Sequence, residues 1–308
     1  MRTRPAHKVR FLGVLISLAI LLALPANALQ NGKKQKANQF RATTNEPLPM
    51  REIHGVDEAL PPVEPDTDCS LSNVLRRAGR RVSELVDTLQ QFTATEKVEH
   101  READKAGNWR APEVLSFEYL AELRDTQRGM LVMEELRNGT ASPAVFPARL
   151  ADIGLPAMAF VFHPYFVNDY DMRCEGRGQW EGKPAWQVYF QQRPDREARL
   201  RAYHVADRGY AVKLKGRAWI AADSYQVVHL ETDLVEPISK IRLNSEHLSI
   251  DYDPVLFKKR GVELWLPNTA DVYMSFQGHV FHRRHSFSNF LLFGVDVSHR
   301  ETEPEVPQ

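Results

Sequence analysis

The chain is poor in features that announce chemistry. It has two cysteines in 308 residues and no C-x-x-C pair. It also lacks a G-x-S-x-G elbow, an H-E-x-x-H helix motif and a G-x-x-x-x-G-K-[ST] loop, so the usual nucleophile, zinc and phosphate-cradling signatures are missing. Charge of one sign is lacking too, since 40 basic residues balance 40 acidic ones. The whole-protein field that draws in nucleic acid or an anionic membrane is therefore absent. Only one long apolar run occurs, Phe11 to Leu24, which excludes a polytopic membrane protein. With 43% apolar and 26% charged residues, a disordered chain and a collagen-like fibre are excluded as well.

What is present begins with an export signal. Arg2, Arg4, Lys8 and Arg10 precede the apolar run, and Ala26-Asn27-Ala28 supplies the small residues of a cleavage site before Leu29. The competing reading is a permanent anchor, but fourteen residues at ~1.5 Å each reach about 21 Å, short of a ~30 Å hydrocarbon core. No cysteine follows the run to carry a lipid. Cleavage removes four of the 40 basic residues and none of the 40 acidic ones, leaving a net charge of −4 and no transmembrane span. The protein is read as periplasmic or secreted. Residues 29–67 are polar and hold Pro47, Pro49, Pro61, Pro62 and Pro65 without an apolar period, and read as a disordered linker. Residues 68–297 form a single domain, and 298–308 an acidic, Pro-containing flexible tail.

Leu71, Val74, Leu75, Ala78, Val82, Leu85, Val86 and Leu89 recur at three- and four-residue steps, which predicts an amphipathic helix with Asp68 or Ser70 as N-cap. Arg76, Arg77, Arg80 and Arg81 lie off that stripe and read as a solvated flank with intrahelical ion pairs. A second helical piece is predicted through Leu155 to Phe162, between Gly154 and Pro164. Almost everything else alternates with period 2 and reads as strands of an antiparallel meander. One hairpin turns at Asp223 and pairs residues whose numbers sum to 446, setting Lys213 opposite Asp233 and Lys215 opposite Glu231, with Arg217 beside His229. A second, through Pro267 to Ala270, sets Leu264 against Met274. The fold class is mainly β (α+β), a strongly curved antiparallel sheet or open half-barrel with the helix packed on its concave face.

Three motif-like features carry no chemistry. Gly176, Gly178 and Gly182 miss dinucleotide spacing and lie in a strand and turn. Alternation points His282 away from His279 and His285, which stand too far apart to share a metal ion. Asn138-Gly139-Thr140 is a formal glycosylation sequon, and equally a strong turn signal. No catalytic residue, metal ligand or cofactor is assigned, and the chain is read as a non-enzyme.

The run Gly216-Arg217-Ala218-Trp219-Ile220-Ala221-Ala222-Asp223-Ser224-Tyr225-Gln226-Val227-Val228-His229-Leu230-Glu231 is similar to a strand, Asp-containing turn and returning strand of the outer-membrane lipoprotein carrier superfamily, LolA and LolB, to which the periplasmic sensor RseB is related. Helix-then-meander order extends the resemblance over most of residues 69–295, with Ala141 to Phe166 as an insertion. The resemblance implies an open barrel that holds acyl chains in an apolar cavity without catalysis. Two functions follow as alternatives. One is a binding or carrier protein for a lipid-like or acylated ligand, its cavity lined by Leu75, Leu85, Leu89, Leu214, Ile220, Leu230, Leu264 and Met274. The same residues equally describe a dry core. The other is an envelope sensor or scaffold that binds a protein partner through its sheet. Export also predicts a disulfide between Cys69 and Cys174, fastening the helix start to the sheet, against the alternative of two buried thiols.

Overall fold

Alternation along the chain builds a ten-stranded antiparallel sheet in the computed structural model, which describes residues 46–293 except 59, 66, 126–130 and 207. The signal segment 1–28 and the tail 298–308 lie outside the described residues. The strands are β1 (Gln91–Glu102), β2 (Glu113–Asp125), β3 (Leu131–Arg137), β5 (Tyr170–Trp180), β6 (Lys183–Gln192), β9 (Leu214–Ala221), β10 (Val227–Leu234), β11 (Leu243–Phe257), β12 (Val262–Phe276) and β13 (His279–Phe293). Their order is β3-β2-β1-β13-β12-β11-β10-β9-β6-β5. The first and last strands, β1 and β13, pair in mid-sheet, and the sheet curves without closing, leaving β3 and β5 as its edges. Those edges are consecutive in the chain among the strands of the large sheet. Residues 138–169 run from one to the other and carry β4 (Leu150–Ile153), which joins β7 (Ala202–Val205) and β8 (Arg208–Ala211) in a small second sheet.

Helix α1 (Leu71–Thr88) starts at Ser70 and buries Val74, Ala78, Gly79 and Val82. Leu71, Leu75, Leu85 and Val86 pack half-buried on the same core. The helix rests on the 3-10 turn Met158–Phe162, the second helical piece of the sequence, which packs in turn on β10. Gly79 allows the close approach, because a Cβ there would stand 2.9 Å from the Phe162 carbonyl oxygen. On the solvent flank Arg81 pairs with Glu84 at 2.9 Å and Arg80 with Glu84 at 3.8 Å. Asn138 and Gly139 both take positive φ (49° and 73°) between paired Arg137 and Thr140, which is the two-residue hairpin the turn reading required.

From about Leu48 onward the segment read as a linker meets the sheet. The Leu48 N–H donates to Tyr273 Oη at 3.0 Å, the Val56 N–H to Asp233 at 2.6 Å, and the Glu64 N–H to the Arg177 carbonyl at 2.7 Å. Polar side chains of the sheet's outer face thus supply the bonds that an apolar period would otherwise have to replace. Gly178 leaves room for this strap, since a Cβ there would meet the Pro62 carbonyl oxygen at 2.7 Å. The strap leads to Cys69, which is bonded to Cys174 in the edge strand β5 with Cα atoms 6.0 Å apart. The chain therefore wraps the β5 edge, strap outside and α1 inside, with the disulfide at the fold.

Two registers and one strand boundary differ from expectation. Leu234 pairs with Leu214 and Asp233 with Lys215, so the β9–β10 hairpin sums to 448 rather than 446, with Arg217 opposite Glu231 and Trp219 opposite His229. The faces survive on β9 and from Leu230 along β10, but Tyr225 at φ 61° and a bulge between Val227 and His229 lengthen the turn and put Val227 in the core. Pro267 makes no hairpin. It lies within continuous β12, at a register shift against β11, where a missing N–H is tolerated, and Leu264 pairs with Val255 while Met274 pairs with Glu246. Alternation over 210–221 predicts one strand, but the run leaves the small sheet at Ala211 and enters the large one at Leu214. The disulfide closes a 105-residue separation, and its loss through Cys174→Ser is expected to lower unfolding free energy by up to ~4.7 kcal/mol. Urea denaturation of the wild-type and substituted proteins checks this, and the same midpoint for both would refute it.

Candidate functional site

The eight residues singled out for a cavity come together in one apolar cluster. Leu89, Leu214, Ile220, Leu230, Leu264 and Met274 are buried in it, and Leu75 and Leu85 pack against it half-buried. The space between α1 and the sheet is not left to a ligand, however. Met158, Ala159, Phe160, Val161 and Phe162 are all buried there, between helix and sheet, none more than 4% exposed. Phe162 meets Phe190 edge-on at 6.2 Å.

An apolar cleft of about 250 Å³ lies instead beside the edge strand β3. Leu131, Val132 and Met133 form one wall, and Leu200, Arg201 and Ala202 line it from the approach to β7. Ile153, Gly154, Ala157, Phe160 and Phe166 complete it. Gly154 is required there, because its φ is 93° and a Cβ would fall 1.8 Å from the Leu200 carbonyl oxygen. Arg199 is the charge at the rim. It is exposed, ion-paired with Asp169, and donates to Tyr165 Oη at 2.8 Å.

Beneath the cleft lies a chain of buried charges that the sequence reading missed. Glu135 and Arg137 come from β3, Glu96 from β1, Arg283 and His285 from β13, Glu246 from β11, and Asp152 and Arg201 from the insertion and the approach to β7. Arg137 grips Glu96 through two nitrogens at 2.6 and 3.1 Å. His285 Nδ1 lies 2.7 Å from the same carboxylate, and its Nε2 lies 3.4 Å from Asp152. Asp152 is ion-paired with Arg283 and, at 3.0 Å, with Arg201, whose Nε lies 3.4 Å from Glu246. All these side chains are at most 3% exposed. Burial pushes the Glu96 carboxyl up, but Arg137 and His285 outweigh it and hold it down to about 2. Burial likewise opposes the charged form of Asp152, and Arg283, His285 and Arg201 reverse that effect. Burial raises Glu135 and Glu246 despite their arginine partners.

This network is closed to substrates and acts on the fold. Arg283 donates to the Leu150 and Pro147 carbonyls at 2.7 and 3.1 Å, Arg201 to that of Ile153 at 3.0 Å, and the Gly154 N–H donates to Glu135 at 2.7 Å. The large sheet thereby holds the insertion that walls the cleft. A signal existed in the sequence, since Glu96 shares the inward phase of β1 with Ala94 and Val98, as Glu246 shares that of β11 with Leu248 and Ile250. The three β13 histidines each find a carboxylate: His279 with Glu102, His282 with Asp271 and His285 with Glu96, each at 2.7 Å. No metal-holding group of three or more His, Cys, Asp or Glu occurs among the described residues.

Asp152→Ala strands Arg283 in the interior and leaves Arg201 with Glu246 alone, and the expected cost is ~3–5 kcal/mol by chemical denaturation. A cost within 0.5 kcal/mol would show that the network holds nothing. Because Glu96 titrates lower in the folded chain than its usual 4.5, its contribution is present above pH 4.5 and lost as pH falls toward about 2. Urea midpoints of wild type should fall across that window, and those of Glu96→Gln should fall less.

No family model and no curated protein matches the sequence. Among solved structures the chain is similar to a DUF1329 family protein from Desulfovibrio piger, with 11% identity, 74% of this chain and 94% of that chain covered, and a TM-score of 0.40. It is similar to a LolA superfamily protein from Nitrosomonas europaea, with 11% identity, 74% and 96% covered, and a TM-score of 0.34. It is also similar to a chain of the Pseudomonas aeruginosa MucA/MucB complex, with 9% identity, 70% and 99% covered, and a TM-score of 0.21.

Proposed function

We propose that this chain is an exported, non-catalytic binding protein for a lipid-like or acylated ligand, whose apolar part enters the cleft between β3 and residues 199–202. The cleft itself is the observation that supports the reading. It is apolar along Leu131, Met133, Ile153, Ala157, Phe160 and Leu200, and a cationic group stands at its rim in Arg199. A greasy slot with a cationic group at its rim suits an amphiphile whose anionic head shares Arg199 with Asp169. Ala157, Phe160 and Leu200 belong to the same cluster as Leu75, Leu85, Leu89, Leu214, Ile220, Leu230, Leu264 and Met274, which form the apolar interior behind that wall. Export agrees with the Cys69–Cys174 disulfide, a bond that persists in oxidising compartments.

Native mass spectrometry of protein purified from its own envelope should show bound lipid. A fluorescent fatty acid should bind in solution. Ala202→Trp fills the cleft from a half-buried position and should weaken that binding by about tenfold or more, or ~1.4 kcal/mol, without lowering the unfolding midpoint. Lipid-free protein whose probe affinity is the same with Ala202→Trp would sink the proposal.

A further inference from the structure

The strap is held in an unusual way. Between Leu48 and Val63 none of its described residues exchanges a backbone–backbone hydrogen bond with the sheet, the first being that of Glu64. Side chains read its backbone instead: Gln187 Nε2 donates to the Pro62 carbonyl at 3.3 Å, and two stations are bonded through both N–H and carbonyl. At Leu48, the N–H is accepted by Tyr273 Oη at 3.0 Å and the carbonyl receives Trp109 Nε1 at 2.8 Å. At Val56, the N–H is accepted by Asp233 at 2.6 Å and the carbonyl receives Arg217 Nη1 at 2.8 Å. This is how a protein holds a peptide ligand, through its main-chain groups, rather than how it extends a sheet.

The Val56 station also selects side chains. Gly55 opens a turn closed by the Glu58 N–H on its carbonyl at 2.9 Å, and a Cβ on Gly55 would stand 2.8 Å from Asp233 Oδ2. Val56 is 1% exposed, the sole buried residue among those described in the strap. Asp57 takes Lys215 Nζ at 2.5 Å. The receiving groups are fixed without help from the strap: Arg217 is ion-paired with Glu175, and Asp233 bonds His247 at 2.8 Å while facing Lys215 across the sheet. A preformed notch costs little to refill.

We propose that the notch formed by Lys215, Arg217 and Asp233 is a recognition site for a glycine–apolar–aspartate turn, that residues 55–57 fill it in cis, and that a partner polypeptide presenting such a turn displaces them. The proposal is independent of the lipid cleft, which lies on other strands.

The test uses the full chain and a fluorescein-labelled peptide of residues 46–60. Asp57→Lys sets two ammonium groups together, and Val56→Asp removes the buried anchor, so each should release the strap and raise amide exchange at residues 48–57. Both released chains should then bind the wild-type peptide about tenfold or more tightly than the intact chain does. Lys215→Asp should reverse the preference, so that the chain takes the Asp57→Lys peptide in place of the wild-type one. Failure of both released chains to bind, or equal binding to intact and released chains, would overturn the proposal. Concentration-dependent dimers of the wild-type chain in sedimentation, lost with Lys215→Asp, would overturn it in favour of a second copy as occupant.

Discussion

The insertion that walls the cleft on the inner side of this sheet depends on the Asp152 carboxylate. It arrives on an insertion that joins the two open edges, and it meets Arg283 from the middle of the large sheet and Arg201 from the approach to the small one. Taking such charges out of water costs several kcal/mol per ion. The cost is tolerable because the two central carboxylates each have more than one partner: Glu96 serves Arg137 and His285, and Asp152 serves Arg283, Arg201 and His285. A purely apolar contact could hold the insertion in several positions. Charges with paired geometry hold it in one, and so fix the cleft walled by Ile153 and Gly154.

The same logic of fastening appears on the outer face. There the strap crosses β12, β10 and β6 in turn, bound at Tyr273, Asp233 and Gln187, and ends at the disulfide on the β5 edge. Polar groups meet along rows across the strands, Lys215 opposite Asp233, Asp233 opposite His247, and His247 opposite Tyr273. His229 illustrates the balance. Burial disfavours its charge, yet Asp251 and Glu231 raise it to about 9, with Trp180 stacked on its ring at 3.6 Å. One face of the sheet is therefore a polar receptor for the chain's own segment, while the other is an apolar core with charges set into it.

How much of this was legible in the sequence differed by element. Helix α1 was, because eight apolar residues keep one period over five turns and nothing else explains Val74, Ala78 and Val82 together. The faces of β9 and β10 were legible too, since alternation fixes them. Their register was not, because a left-handed Tyr225 and a bulge shift pairing by two residues without moving any side chain of β9 to the other face. Pro267 misled for a related reason: proline marks a turn and a bulge alike. Of the site, the apolar cluster was readable and the cleft was not. Asp152 and Glu96 are far apart in the chain, and only the path of the insertion brings them to one histidine.

The proposed ligand site is the seam beside β3, outside the filled space between α1 and the sheet. A crystal structure of the protein loaded with a brominated fatty acid tests that placement most directly. The expected result is anomalous density bounded by Leu131, Ala157 and Leu200, with the carboxylate toward Arg199. Bromine density between α1 and the sheet, with Met158–Phe162 displaced, would contradict it.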